Sequence, residues 1–517
     1  MKKLTTLLLL LIGFNAFSQD WPLKKLVMDK KKASRAAFKT IPAFTFLNNK
    51  TQGRAGTYQQ LSLNPAFSKQ ILEQKPDAIQ VSIPLSSTSS VTCDLVKFSL
   101  GNVIFTANDK GVLQNVKVPV TYHGIITSDT GRNNVILTVN DEYLSLVATN
   151  SDRVLQVTKA NETATNAYRL YNSTQVNIPE PPPLNCGTSS TAVSANALGI
   201  DLTGATNPLG SIDKTVYVFV DCFDSMFIWR NASNQKTADY VYELFNYVAT
   251  GYLNEQINIQ LTTINIWSPG DATYRHDVRD NALADLAARW KDNFWGNICV
   301  GLDFGRRIGG LADGIGISKG VAVNTCPAYK YNGTDSLSAC CYCDLNFGGG
   351  FVDFPTGPNT AQGDVELVMH EMGHLLGSAH THWCGWVISG AGLPVVLGAL
   401  DSCYATEGGC PPGMGPQNGK GTIMSYCHLK GLISFNNGFG VQPGAAIRNF
   451  VDKNTCIPTI SVGNNCLRYR PTKGNTQTLA GPPGNKVPLN NPTLLLIPSE
   501  GASAANQSHH LITNINR

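Results

Sequence analysis

Eleven residues, His370 to His380, read HEMGHLLGSAH, and their spacing restricts the local chain path. His370 and His374 stand four apart, which on a helix puts both rings on one face, one turn apart, within reach of a single ion. Glu371 projects about 100° round the helix from His370, so it is placed to meet a water on that ion rather than to bind it. Gly377 tolerates positive φ, so the helix can end there and the chain can turn, and His380 then returns as a third nitrogen. Three neutral imidazoles and a vacant fourth position describe a catalytic zinc site rather than a structural one. The bland alternative is a polar helix end with exposed histidines. His382 and Cys384 follow closely enough to compete as ligands. His382 lies just beyond the ideal spacing, and Cys384 suits a disulfide better.

HEMGHLLGSAH resembles the metzincin zinc-binding motif, HExxHxxGxxH. GTIMSYC, from Gly421 to Cys427, is similar to the methionine turn of those enzymes, with Met424 as its methionine. Within metzincins the text resembles the reprolysin-like group, through YVFVDCFDSMF, IGGLADGIGI and ISFNNGFGVQP, over roughly residues 214–455. The resemblance implies an α/β catalytic domain, with a twisted, mainly parallel sheet, an antiparallel edge strand and helices. It also implies one catalytic Zn2+ on His370, His374 and His380, Glu371 as general base towards a zinc-activated water, and protein or peptide substrates aligned on an edge strand near 309–323. Structural Ca2+ occurs in the family, but no clear calcium loop is present. Two positions depart from the group. Thr381 stands where many members have aspartate, as in pappalysin-like enzymes. Tyr426 stands two residues after Met424, as in astacins and serralysins, where it binds zinc or steadies the transition state. The alternatives are therefore another metzincin subfamily, or an inactive metzincin-scaffold binding protein. The second reading fits poorly with a complete set of ligands and glutamate.

The first 18 residues have the form of a secretory signal peptide: MKK, a short apolar run LTTLLLLLIGF, then Ala16 and Ser18 at a cleavage position. The run is too short to span a bilayer, no cysteine at that position offers a lipid anchor, and no later stretch is long and apolar enough to cross. A secreted protein without a membrane anchor is expected. In an oxidising compartment the 14 cysteines default to disulfides. The even set of 12 from Cys222 to Cys466 would make six bridges, and CCYC at Cys340–Cys343 is the weaker case of a metal cluster. A net charge of +4 is too small to argue for nucleic acid, and the basic run from Lys24 to Arg35 reads as a solvated terminus.

Residues 20–75 carry few signals. From Asp77, DAIQVSIPL, VTCDLVKFSL, NVIFTA, VPVTYHGIITS, NNVILTVN and EYLSLVAT read as short strands of a sheet ending near Val176. PEPPPLNCGTSSTAVSANALG reads as an extended linker. Residues 19–200 thus form a β-rich propeptide with its linker. Strand–helix alternation follows over 205–466, beginning with KTVYVFVDC and a helix capped by Thr237. GIGISKGVAVN is a Gly-interrupted edge strand. Residues 467–517 form a disordered tail. PLNCGTS resembles the cysteine switch of reprolysin propeptides. That resemblance implies Cys186 as a thiolate zinc ligand in the latent enzyme, with the propeptide as its own inhibitor. A Cys93–Cys186 disulfide is the other reading.

Overall fold

The computed structural model describes residues 21–176 and 214–459, less short internal stretches of which 322–337 and 346–361 are the longest. The leader, the linker with Cys186 and the C-terminal tail lie outside the described residues.

The N-terminal region opens with helix α1 (Pro22–Ala33), which corrects the reading of a solvated basic terminus. Leu23 and Val27, one turn apart, are buried against Val96 and Ile125. Lys30 and Lys31 reach Asp77 and the buried Asp94. A ten-stranded sheet follows, in the order β1-β4-β5-β8-β9-β10-β11-β12-β3-β2, with β2 (Phe44–Gly53), β3 (Gly56–Leu63), β11 (Val154–Lys159) and β12 (Ala167–Val176) at one end. Its central strands are β5 (Ser90–Phe98), β8 (Val120–Ile126), β9 (Asn134–Val139) and β10 (Leu144–Thr149). All of its pairings are antiparallel except that of the short β1 (Lys39–Thr40) with β4 (Ala78–Pro84). Helix α2 (Pro65–Gln74) packs its buried Phe67 and Ile71 into the same core.

The second sheet has seven strands, β16-β17-β15-β13-β14-β6-β7. Its parallel centre is β17 (Cys340–Leu345), β15 (Ile298–Phe304), β13 (Thr215–Cys222) and β14 (Asn258–Ile266). At one end β16 (Gly310–Ala312) runs antiparallel to β17, the expected antiparallel edge. It is shorter than expected: of GIGISKGVAVN, residues 314–321 are irregular and the rest lies outside the described residues. At the other end NVIFTA is a strand as expected, but in the other sheet. There β6 (Ile104–Ala107) runs parallel to β14 and turns into β7 (Gly111–Val112). Helices α3 (Asp224–Trp229), α4 (Asn234–Leu253) and α5 (Arg279–Trp290) connect the parallel strands, which require crossovers. The cap of α4 is Ser233, whose hydroxyl accepts from Lys236 N, not Thr237, which bonds back to Ser233 O. Helices α6 (Gln362–Leu375) and α7 (Val441–Lys453) complete seven helices among the described residues. None of these is long and apolar enough to cross a membrane.

The six-bridge expectation is corrected. Cys222, Cys299, Cys340, Cys341 and Cys343 are buried thiols on β13, β15 and β17. CCYC is strand, so its side chains alternate between faces and fill the core as small apolar groups. Cys93 is likewise a buried thiol on β5, so it forms no disulfide with Cys186. Disulfides Cys384–Cys410 and Cys403–Cys427 do form, and both lie beside the histidine cluster.

Candidate metal centre

Helix α6 carries His370, Glu371 and His374, and it is buried on all sides among β16, β17 and α4. Gly251 of α4 lets the two helices approach: a Cβ there would lie 2.9 Å from Met369 Sδ. Tyr252 completes the contact by donating to Met369 O at 3.0 Å. The helix stops where the sequence implied. Gly377 has φ 104°, in the left-handed region that favours glycine, and the turn brings His380 back beside His374.

The three Nε2 atoms face one another. His374 Nε2 lies 3.2 Å from that of His370 and 3.1 Å from that of His380. Each Nδ1 faces an acceptor: His370 donates to Ile423 O at 2.8 Å, His374 to Ser378 O at 2.8 Å, and His380 to Glu407 Oε1 at 2.6 Å. Carbonyls and carboxylates only accept, so the single proton of each neutral ring resides on Nδ1. Burial keeps the rings neutral, pushing His374 to about 3 and lowering His370 and His380, with the neighbouring imidazoles adding to it. Three lone pairs therefore converge. This is an unfavourable arrangement without a cation and a fitting one with it. Zn–N bonds of about 2.0–2.1 Å at tetrahedral angles set nitrogens about 3.3–3.4 Å apart, close to the spacing found.

The remaining expected residues gather here. Glu371 is buried with its carboxyl over Gly310 of β16, where a Cβ would lie 2.7 Å from Cγ and 2.8 Å from Cδ. Met424 is fully buried, and a Cβ on Gly373 would lie 2.7 Å from its Sδ. Its turn supplies Ile423 O to His370 and Met424 O to Thr381 N at 3.0 Å. The Tyr426 ring lies 4.8 Å from that of His380 and 5.9 Å from that of His370. Cys186 lies outside the described residues. Of the competing ligands, Cys384 is in a disulfide. His382 stacks on His380 at 4.8 Å and turns Nε2 towards Glu407 at 3.3 Å, outside the nitrogen triangle.

Two acidic residues were not singled out in the sequence. Glu407 holds His380, and its own main chain is fixed by Cys384 N at 2.9 Å and by donation to His382 O at 3.0 Å. Asp401 accepts from the hydroxyl of Thr381, so a carboxylate still reaches the place where Thr381 departs from the family pattern. Neither carries a local signal. The nearest is the cysteine spacing, since Cys384–Cys410 closes the loop that holds both acids and Cys403–Cys427 overlaps it.

Residues 213–435 match the family model Reprolysin_5, metallo-peptidase family M12. No curated protein matches the chain. Among solved structures, metalloproteinase-II from Bacteroides fragilis is similar over 60% of this chain and 85% of that chain, with 11% identity and a TM-score of 0.32.

Proposed function

We propose, for a chain whose residues 213–435 belong to metallo-peptidase family M12, that it is an exported zinc-dependent endopeptidase made as a latent precursor. One observation carries the zinc reading: three Nε2 lone pairs converge while every Nδ1 proton is engaged elsewhere. His370, His374 and His380 would hold the ion, which when bound supplies a Lewis acid that acidifies water and stabilises oxyanion charge.

The chain's own groups do the rest. Glu371, buried one residue from a ligand, takes the proton of the attacking water and returns it to the leaving amine. Gly310 keeps β16 close to Glu371. Among the described residues β16 is an edge of the sheet, so an extended peptide can pair with it by main-chain hydrogen bonds. Tyr426, beside the imidazoles, donates to the developing oxyanion. The signal peptide supports secretion. Latency rests on Cys186, whose thiolate would take the vacant ligand position, so Cys186→Ala should give premature activity. Unchanged latency with normal expression would remove that part of the reading.

The direct test is digestion of a peptide library with and without a zinc chelator. Cleavage that disappears with the chelator and returns with added Zn2+ supports the proposal. Cleavage indifferent to the chelator, or none in fully zinc-loaded protein freed of its N-terminal linker, defeats it.

A further inference from the structure

The N-terminal region is woven into the peptidase region at three places. In the first, β6 completes the seven-stranded sheet, with Thr263 to Ile266 opposite Ile104 to Ala107. The pairing is extended by Leu261 N to Leu100 O at 2.7 Å and Asn108 N to Ile266 O at 2.9 Å. Asn265 binds across it. Its Oδ1 accepts from Thr106 Oγ1 at 2.7 Å and Asp109 N at 2.9 Å, while its Nδ2 donates to the buried Asp221 at 2.8 Å. Asp221 in turn accepts from Trp267 and Trp290.

Helix α4 is the second place. Every residue from Thr237 to Tyr252 is buried, because one side meets the peptidase sheet and the other meets β8, β9 and β10. The side turned to the N-terminal sheet is polar and matched group for group. Glu243 accepts from Tyr143 at 2.8 Å, Tyr247 meets Ser145 at 3.0 Å, and Asn246 meets His123 at 2.6 Å and Thr138 at 3.0 Å. Third, Asn134 joins Asn254 and Asn436, each at 2.8 Å, and Asn436 reaches Thr149 at 2.8 Å. Leu100, Phe105, Ile136, Val147 and Val154 lie in one continuous core with the peptidase residues.

We infer that residues 21–176 are a permanent structural part of the working enzyme, retained after the linker is cut. This rests on the precursor reading only in assuming that a cut occurs. Losing this region would strip β14 to an unpaired edge, a template for aggregation. It would also leave the polar side of α4 without partners chosen to fit it, and open the shared core. Retention does not obstruct the cleft: in the seven-stranded sheet β6 is separated from β16, the strand beside Glu371, by four strands. Maturation is then a nick in the linker that leaves two chains in one body.

The test inserts a site-specific protease sequence between Gly187 and Ile200 of the full-length chain, cuts it, and follows both fragments by size-exclusion chromatography without denaturant. Co-elution at the volume of the uncut chain, with separation only in denaturant, is expected. Separation under native conditions overturns the inference, whether the peptidase fragment then stays soluble or aggregates. Elution is read without any assay of cleavage, so this result stands apart from the success or failure of the peptidase reading.

Discussion

Glu407 Oε1 lies 2.6 Å from His380 Nδ1. It is the only carboxylate to take an Nδ1 of the three converging histidines, the other two being held by main-chain oxygens. A carboxylate on Nδ1 fixes the tautomer and raises the basicity of the opposite nitrogen, and losing such a partner typically costs 10–100-fold in metal affinity. Glu407→Gln should therefore weaken Zn2+ binding by about that factor, measured by competition with a chromogenic chelator, while the fold is kept. An affinity within about 3-fold of the parent would mean that the Cys384–Cys410 loop orients His380 without help from the charge.

Glu371→Gln separates chemistry from metal binding. The amide is nearly isosteric and Glu371 is not one of the three converging imidazoles, so metal content should stay at one Zn2+ per chain. Turnover should fall by about 10²–10⁴-fold, the usual worth of a positioned general base. Peptide cleavage surviving at the parent rate would move the proton-transfer role to another group.

Gly310→Ala tests the seating of that carboxylate from the opposite side. The added methyl would meet Glu371 Cγ at 2.7 Å and Cδ at 2.8 Å, closer than real Cβ contacts, so Glu371 or β16 must move. Displacement of a catalytic group by even 1 Å can cost about 10²-fold, so kcat should drop by 10-fold or more with zinc affinity unchanged. Parent kinetics would show that the carboxyl is free to relocate without loss.

The histidine triangle was legible because its geometry is local: four residues along a helix and one glycine turn set it. Glu407 was not, since it lies 27 residues from His380 and is brought there by a disulfide and a β-bridge that no periodicity encodes. The same limit applies to NVIFTA. Its composition marks a strand, but alternation does not name the neighbour, so its place beside β14 emerged only with the fold. Near the N-terminus, lysines concealed the helical pair Leu23 and Val27. CCYC invited a reading through cysteine chemistry when the fact that matters is the alternation of its side chains across a sheet.

His123 gives the contact between the two regions a pH dependence. It is buried, stacked on Phe98 at 3.9 Å, and its Nε2 donates to Asn246 Oδ1 at 2.6 Å. Its Nδ1 is buried with no acceptor, so protonation would add a donor that nothing receives. Burial accordingly lowers its pKa from 6.5 to about 4, with the Asn246 contacts only partly offsetting it. A depressed folded-state value means that the unfolded chain binds the extra proton first. The stabilisation is complete above about pH 6.5 and is lost as pH falls towards 4, amounting to about 2 kcal/mol at pH 5. Urea denaturation at pH 7 and pH 5 should show this loss in the parent. His123→Gln retains a donor for Asn246 but cannot titrate, so it should show a loss smaller by about that amount. Equal losses in both proteins would place the acid sensitivity in other groups.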